Sequence, residues 1–439
     1  MFRSCLSIFL IISGVLSADS TKFRCDRLSD DYKCRLSSIT PYRYIANYND
    51  EEIKFKDCEP KKIWMMIRHG TRKPGKKVLS TLGELEKIRE AVINKCDSGP
   101  CDLTVDLLKR VRDWEHKLKP EDEMILAGEG EDELIGLAER FQARFPTLMP
   151  EKFDNKTYKF KFTQKQRTEE SARYFAIGLF GKKGSKHVWY PPSEESDPIL
   201  RFYKACGKWQ QQVKRNPEAY EEQAKFKKSD VAKKMVEDVS NRVGKNISFD
   251  DVKLMAEICA FETAWNHNNN SPWCDLLTPE EFQIVEFAKD LKYFWIDGYG
   301  FPLTAQHACT ALKDMFEFFD LDSDATTTAY FSHSGTLLKI LSLLEVSKDN
   351  EPMRHHQFPS DDRLWRTSFI DSFATNVAFI SFDCKNTGRN ILVMHQERVI
   401  NLPGCPEGLP CPLSTMKDKY PDNDDECPFL EMCRTDTRK

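Results

Sequence analysis

Five consecutive residues combine the side chains that phosphate chemistry requires. The chain reads Arg-His-Gly-Thr-Arg from Arg68 to Arg72, directly after the apolar run 63–67. The two guanidinium groups match phosphate oxygens in pairs and stay charged at any working pH. A neutral imidazole at His69 can attack phosphorus and hold the phosphoryl group covalently. Because Gly70 has no side chain, the backbone there can approach a bound group closely. The pattern indicates a pocket for a phosphate ester.

The elements that position these residues follow from hydrophobic periodicity. The run 63–67 predicts a fully buried strand of the kind found in parallel sheets. Ligands of such sheets bind beyond the carboxyl ends of the strands, where the motif lies. Further strands are predicted at 158–162, 328–331, 376–382 and 391–394. The stretch 183–295 has only helical patterns, which predicts an α/β sheet interrupted by an α-helical insertion.

The N-terminus and the cysteines indicate the compartment. Arg3, the apolar run 6–16 and small residues up to Ala18 are typical of a signal peptide over 1–18, too short to span a bilayer. Of 15 cysteines, 14 follow it, an even number that predicts disulfides in a secreted protein. Asn155 and Asn246 begin glycosylation sequons. The polar C-terminus, 434–439, has neither a lipid-anchor signal nor a retention signal, so we expect release from the cell.

Charge and composition restrict the partners. The formal net charge is −4 and there is no long basic tract, which argues against nucleic acid or a charged membrane surface as partner. No later segment is apolar enough to predict a membrane span. His355, His356 and the acidic stretch 422–426 lack the spacing of zinc or calcium ligands, so we expect neither a metal nor another cofactor. The oligomeric state stays open.

A wider set of motifs carries a family resemblance. The string from Arg68 to Pro74 resembles the histidine acid phosphatase branch of the histidine phosphatase superfamily. Further matches occur at 126–131, 144–146, 167–175, 201–206, 271–274, 290–295 and 298–300. Together they are similar to the multiple inositol polyphosphate phosphatase subfamily over residues 58–405. The Trp-Cys element at Trp273 and the Gly-Tyr-Gly element at Gly298 favour this subfamily over other acid phosphatases.

The resemblance implies a phosphoglycerate mutase-like sheet core with helices on both faces and an inserted helical domain. With the sequence patterns it predicts an N-terminal extension at 19–44, a discontinuous core at 45–182 and 296–404, a helical domain at 183–295 and a disulfide-pinned tail at 405–439. It also implies that Cys58 pairs with Cys384. The other pairings stay open; Cys96 with Cys101, and pairs among the last four cysteines, are the local options.

The resemblance also implies roles for individual residues. His69 would be the nucleophile of a phosphohistidine intermediate, Arg68, Arg72 and Arg167 would hold the phosphoryl oxygens, and His333 would donate to the phosphoryl group in the transition state. The implied substrates are small phosphate esters, namely inositol polyphosphates and also 2,3-bisphosphoglycerate.

Additional cations near the motif bear on the substrate. Thr71 and Lys73 are expected to contact substrate, and neighbouring lysines could bind further phosphates. These are Lys76, Lys77, Lys159, Lys161 and Lys165. The alternative, that these lysines form a solvated face, stays open.

One departure from the family concerns the leaving group. Family members place an acid one or two residues after the second histidine, but Ser334 and Gly335 occupy these positions. Loss of a general acid typically costs about 10²–10⁴ in rate. Another carboxylate or a water could supply the proton, the enzyme could be slow or confined to activated esters, or the protein could bind polyphosphates without turnover. A vestigial pocket on an extracellular interaction protein is a further alternative.

Overall fold

The strands form one mixed sheet in the computed structural model, which describes residues 24–268 and 270–435. The predicted signal peptide lies outside the described residues. The strands are β1 (Cys58–Arg68), β2 (Tyr158–Phe162), β3 (Thr327–Ser332), β4 (Asn376–Cys384), β5 (Gly388–His395), β6 (Arg398–Val399) and β7 (Cys411–Pro412). Their order is β2-β3-β1-β4-β5-β6, with β7 also paired to β5. The strands β2, β3 and β1 are parallel, whereas β4 runs antiparallel to β1. The strand predicted at 63–67 therefore has the expected parallel neighbour, β3, on one edge and an antiparallel neighbour, β4, on the other.

Helices make up most of the remaining regular structure. They are α1 (Lys76–Leu79), α2 (Leu82–Ser98), α3 (Val105–Asp113), α4 (Gly128–Arg144), α5 (Gln166–Gly184), α6 (Phe202–Ala205), α7 (Gly207–Trp209), α8 (Glu221–Phe226), α9 (Asp230–Val243), α10 (Phe249–Trp265), α11 (Pro272–Asp275), α12 (Pro279–Asp297), α13 (Pro302–Gln306), α14 (Cys309–Asp320), α15 (Ser334–Leu343), α16 (Thr367–Ile370), α17 (Leu413–Lys419) and α18 (Phe429–Met432). None of the helices in the described part of the chain combines the length and apolarity that a membrane crossing would require.

The central strand β1 separates two apolar cores. Successive side chains of a strand point to opposite faces. Ile63 and Met65 accordingly pack with residues of α4 and α5, whereas Trp64 and Met66 pack with residues of α2, α10 and α12. All four side chains are fully buried. Helices thus cover both faces of the sheet, and the expected fold class is confirmed.

The helical region between β2 and β3 follows the predicted pattern. Among the described residues no strand lies between Phe162 and Thr327. Helices α9, α10 and α12 share one continuous core with Trp64 of the sheet. The exact domain boundaries given above stay predictions.

Seven disulfides join the fourteen described cysteines. The pairs are Cys25–Cys34, Cys58–Cys384, Cys96–Cys101, Cys206–Cys433, Cys259–Cys274, Cys309–Cys427 and Cys405–Cys411. The pair Cys58–Cys384, expected from the resemblance, is present. Local pairing within the tail occurs only for Cys405 with Cys411. Cys427 and Cys433 instead tie the tail to the helical part of the chain.

Candidate functional site

The predicted site residues meet where three parallel strands end. Arg68 at the end of β1 lies opposite Ser332 at the end of β3. The next residues, His69 and His333, therefore leave neighbouring strands side by side, and their ring centroids are 5.6 Å apart. The third strand, β2, ends nearby and leads into α5, whose second residue is Arg167. Its guanidinium Nη2 lies 3.2 Å from His333 Nδ1.

The geometry of His69 leaves one ring nitrogen free to react. Its Nδ1 lies 2.9 Å from the carbonyl oxygen of Gly70. Because a carbonyl can only accept, Nδ1 carries the proton, and Nε2 of the neutral ring keeps its lone pair. Burial lowers the pKa of His69 well below its usual range, and the charges of Arg167, Arg68 and Arg72 lower this pKa further. The imidazole is therefore neutral and nucleophilic over the physiological range.

The three predicted arginines surround this ring and repel one another. Burial, together with the charges of Arg167 and Arg68, lowers the pKa of Arg72 to about 9. The pKa of Arg167 is lowered to about 10, chiefly by burial. The Nε atoms of Arg68 and Arg167 are buried without a hydrogen-bond partner among the described residues. A bound dianion would accept from these groups and relieve their mutual repulsion.

His333 is held by Arg167 and by two threonines that the sequence did not single out. Its Nδ1 accepts from Arg167, so Nε2 carries the proton and donates to Thr163 Oγ1 at 2.9 Å. The hydroxyl of Thr163 in turn contacts that of Thr168 at 2.9 Å. Burial, Arg167 and Arg201 lower the pKa of His333 well below its usual range. The ring also precedes the N-terminus of α15, whose amide groups favour an anion.

Helix α4 packs against the turn after His69 and holds its conformation. A Cβ added to Gly70 would lie 2.4 Å from the carbonyl oxygen of Gly130, so only glycine fits this approach. The amide and the hydroxyl of Thr71 donate to the two oxygens of Glu133 at 2.6 and 2.9 Å. Thr71, which we predicted to contact substrate, is fully buried, so in this structure it holds the loop.

Two of the lysines near the motif form ion pairs with carboxylates, and others line a cavity. Lys73, predicted to contact substrate, donates to Asp122 at 2.6 Å, and Lys161 pairs with Asp197 at the same distance. A cavity of about 580 Å³ opens beside Arg72. Seven cationic side chains line it, against three acidic ones, so the cavity is positively charged. The cationic residues are Arg72, Lys76, Lys77, Lys227, Lys253, Lys289 and Lys292.

The positions after His333 carry no carboxyl group, but carboxyl groups of other segments lie close to them. The Ser334 hydroxyl donates to Asp371, which is fully buried. A Cβ added to Gly335 would lie 3.4 Å from Asp297 Oδ1. Sequence reasoning missed Asp371 because no spacing links it to the motif; its only signal is an acid placed shortly before an apolar strand.

Comparisons with known proteins show which family and fold this chain shares. The family model described as histidine phosphatase superfamily (branch 2) matches residues 61–396. Multiple inositol polyphosphate phosphatase 1 of Drosophila melanogaster is 30% identical over 399 residues, which cover 88% of this chain and 84% of that protein.

Two solved structures share the fold. The phytase from D. castellii matches with a TM-score of 0.73 at 18% identity, covering 92% of this chain and 87% of that one. The Bifidobacterium longum multiple inositol polyphosphate phosphatase, in complex with inositol hexasulfate, matches with a TM-score of 0.66 at 14% identity, covering 85% and 95%.

Proposed function

The chain belongs to branch 2 of the histidine phosphatase superfamily, and we propose that it removes phosphate from inositol polyphosphates through a phosphohistidine at His69. Family membership confirms the expected enzyme class, a phosphoric monoester hydrolase of the histidine acid phosphatase type. The observation that carries the proposed mechanism is the buried His69 ring, whose Nδ1 lies 2.9 Å from the Gly70 carbonyl oxygen, among Arg68, Arg72, Arg167 and His333.

The proposed reaction has two steps. In the first, His69 Nε2 attacks phosphorus; a P–N bond forms and the ester P–O bond breaks, while the leaving oxygen takes a proton. In the second, water attacks the phosphohistidine, the P–N bond breaks, and inorganic phosphate leaves. Arg68, Arg72 and Arg167 neutralise charge on the phosphoryl oxygens in both steps, and His333 holds the Arg167 guanidinium in place. No metal is needed for this sequence of steps.

The proposed substrate class rests on the cationic cavity. A polyphosphate presents phosphates beyond the one that reacts, and each needs a cation. Lys76, Lys77 and Lys292 line the cavity, and none of them forms a side-chain ion pair within the described residues. The volume of about 580 Å³ is sufficient for a small-molecule ligand. The relatives' printed names support inositol polyphosphates, and 2,3-bisphosphoglycerate is proposed as a second, smaller substrate.

Secretion is part of the proposal. Seven disulfides are typical of proteins that fold in an oxidising compartment. The two sequon residues Asn155 and Asn246 are exposed, so both are accessible to glycosylation.

A labelled ester tests the mechanism directly. Wild-type protein incubated with ³²P-labelled inositol polyphosphate and quenched in alkaline denaturant, where phosphohistidine survives, should carry label. His69→Ala should carry none, whereas His116→Ala, outside the site, should be labelled like wild type. If wild-type protein shows neither label nor phosphate release from about pH 4 to 8, the proposed enzyme activity is wrong.

A second candidate function follows from Ser334 and Gly335. Without an acid at these positions, the protein could bind polyphosphates and not turn them over. Calorimetry would then give binding of inositol hexakisphosphate that is lost in Arg72→Ala, while phosphate release stays undetectable. Rapid phosphate release by wild-type protein would exclude this candidate.

A further inference from the structure

The side of the pocket where the leaving group departs contains an unusual pair, Ser334 and Asp371. Ser334 directly follows His333, whose ring lies 5.6 Å from that of His69, and Ser334 is half-buried. Asp371 lies behind it, with no exposed surface, and one of its carboxyl oxygens, Oδ2, accepts from Ser334 Oγ. A polar group at the pocket is thus connected by one hydrogen bond to a carboxyl group that solvent does not reach.

The backbone holds Asp371 close to the nucleophile. The segment that follows it runs along the motif loop: the Arg68 amide donates to the carbonyl of Thr375 at 2.8 Å, and the Ala374 amide donates to the carbonyl of His69 at 3.2 Å. Arg68 Nη1 also lies 3.6 Å from Asp371 Oδ1. The carboxyl group is therefore placed by the same contacts that place the phosphate-holding residues.

The surroundings of Asp371 favour a bound proton. Burial raises the pKa of Asp371 to about 7, although the Arg68 charge and the Ser334 hydroxyl lower it. Asp371 Oδ1 has no hydrogen-bond partner among the described residues. The ionisable groups that face Asp371 are Arg68 from β1, Asp297 and Tyr293 from α12, and Lys339 from α15.

The other nearby carboxylate, Asp297, already has a partner. It forms an ion pair with Lys339, whose side chain is fully buried and which also donates to the Gly335 carbonyl at 3.1 Å. A carboxylate that neutralises a buried ammonium cannot take up a proton without leaving that charge uncompensated. Asp371 is therefore the better source of a proton.

We propose that Asp371 supplies the leaving-group proton through the hydroxyl of Ser334, in place of the acid that is absent at Ser334 and Gly335. When Asp371 carries its proton on Oδ2, the hydrogen bond between the two groups runs the other way: Oδ2 donates to Ser334 Oγ, and the Ser334 hydroxyl proton is free to face the leaving oxygen. As the ester P–O bond breaks, the leaving oxygen takes the Ser334 hydroxyl proton, and Ser334 Oγ takes the Oδ2 proton of Asp371. The resulting carboxylate faces Arg68. In the second step the attacking water returns a proton to Asp371 along the same path. This inference rests on the proposed phosphohistidine mechanism; Ser334 would be the catalytic residue, and Asp371 acts through it.

Leaving-group dependence separates this role from a structural one. We would measure the single-turnover rate of phosphohistidine formation from inositol hexakisphosphate, whose leaving oxygen needs a proton, and from p-nitrophenyl phosphate, whose leaving oxygen does not. Asp371→Asn and Ser334→Ala should each slow the first reaction by about 100-fold and the second by less than about threefold. Asp297→Asn, the matched carboxylate control, should change both rates by a similar factor.

The pH profile and a rescue variant complete the test. The inositol hexakisphosphate rate of wild type should fall as pH rises through about 7, where Asp371 loses its proton, and this limb should be absent in Asp371→Asn. Gly335→Glu, added to Asp371→Asn, should recover at least about tenfold of the lost rate by providing a new acid. The nearest heavy atom to the added Cβ is 3.4 Å away, an ordinary van der Waals contact, so position 335 admits a Cβ without a clash.

Several results would overturn the relay. An equal loss on both esters in Asp371→Asn, or no recovery in the double variant, would mean that Asp371 only positions Arg68. An unchanged rate in Ser334→Ala would exclude the path through Ser334. A leaving-group-dependent loss in Asp297→Asn would show that Asp297, and not Asp371, supplies the proton. If wild-type protein forms no phosphohistidine with either ester, the proposed function itself fails, which is a different result from all of these.

Discussion

The two sides of the pocket are constructed differently. On the proposed phosphate-holding side, Arg68, His69 and Arg72 come from one short motif, and Arg167 and His333 follow the ends of neighbouring parallel strands. On the leaving-group side, the residues after His333 contribute only a hydroxyl, and the nearest carboxyl groups belong to α12 and to the segment after α16.

This difference shows which part of a catalytic site is tied to local sequence. Phosphate binding requires several cations at fixed distances, and a motif on adjacent strand ends provides them together. Proton donation requires one carboxyl group within reach, and a distant segment can place it there through tertiary contacts. The leaving-group side can therefore change its residues while the phosphate-holding side stays intact.

The largest expected effect concerns the phosphate-holding side. Arg72→Ala should lower kcat/KM about 10²–10³-fold because a guanidinium that faces the phosphoryl oxygens is lost. The adjacent Lys73→Ala is the matched control and should change kcat/KM less than about fivefold, since the Lys73 ammonium is held by Asp122. Steady-state kinetics on p-nitrophenyl phosphate measures both, and similar losses in the two variants would show that the motif contributes general positive charge rather than a specific contact.

A smaller effect is expected at Thr163. Thr163→Val keeps the shape but removes the acceptor of the His333 Nε2 proton, and we expect kcat to fall about tenfold, equivalent to ~1.4 kcal/mol. Because the phosphate-holding side does not distinguish leaving groups, the loss should be the same for p-nitrophenyl phosphate and inositol hexakisphosphate, and Thr163→Ser should restore activity. A loss confined to one ester would mean that the two sides of the pocket are not independent.

A third effect is on stability, not on rate, and concerns the support of the motif loop. Burial, and secondarily the charge of Glu129, raise the pKa of Glu133 to about 7 from an ordinary value of 4.5. The folded state therefore binds this proton more tightly than the unfolded state, and the associated stability is present below pH 4.5 and lost as pH rises through about 7. Glu133→Gln has no carboxyl proton at this position and therefore lacks this pH-dependent stability. The difference in free energy of unfolding, wild type minus variant, should decrease by about 1–3 kcal/mol as pH rises over this window.

Urea denaturation at the two ends of that pH window checks the prediction for Glu133. Glu121→Gln, at an exposed position, is the control and should give a pH dependence parallel to that of wild type. Parallel curves for Glu133→Gln as well would mean that the carboxylate under the motif loop is ionised at no cost, and that the support of the phosphate-holding side is independent of pH.

The sequence was sufficient where periodicity and strand order determine position. The strand at 158–162 has the predicted bounds because its alternation is unambiguous, and the site residues meet because parallel neighbours end at the same edge of the sheet. The sequence did not identify Asp371, Glu133 or Thr163, since each acts through a tertiary contact and none shares a spacing with the motif. The disulfide partners of Cys427 and Cys433, which are Cys309 and Cys206, were missed for the same reason: the tertiary fold determines which distant cysteines meet.

The position of β1 in the sheet has a consequence for biosynthesis. This early strand, which leads into the reactive loop, lies between β3 and β4, and the bond between Cys58 and Cys384 spans 326 residues of chain. During translation, β1 leaves the ribosome long before β3 and β4 have been synthesised, so the apolar strand β1 has no strand to pair with during that time. Contacts of such large sequence separation slow folding and expose aggregation-prone edges. The nascent chain should therefore depend on chaperones until its C-terminal third has been made.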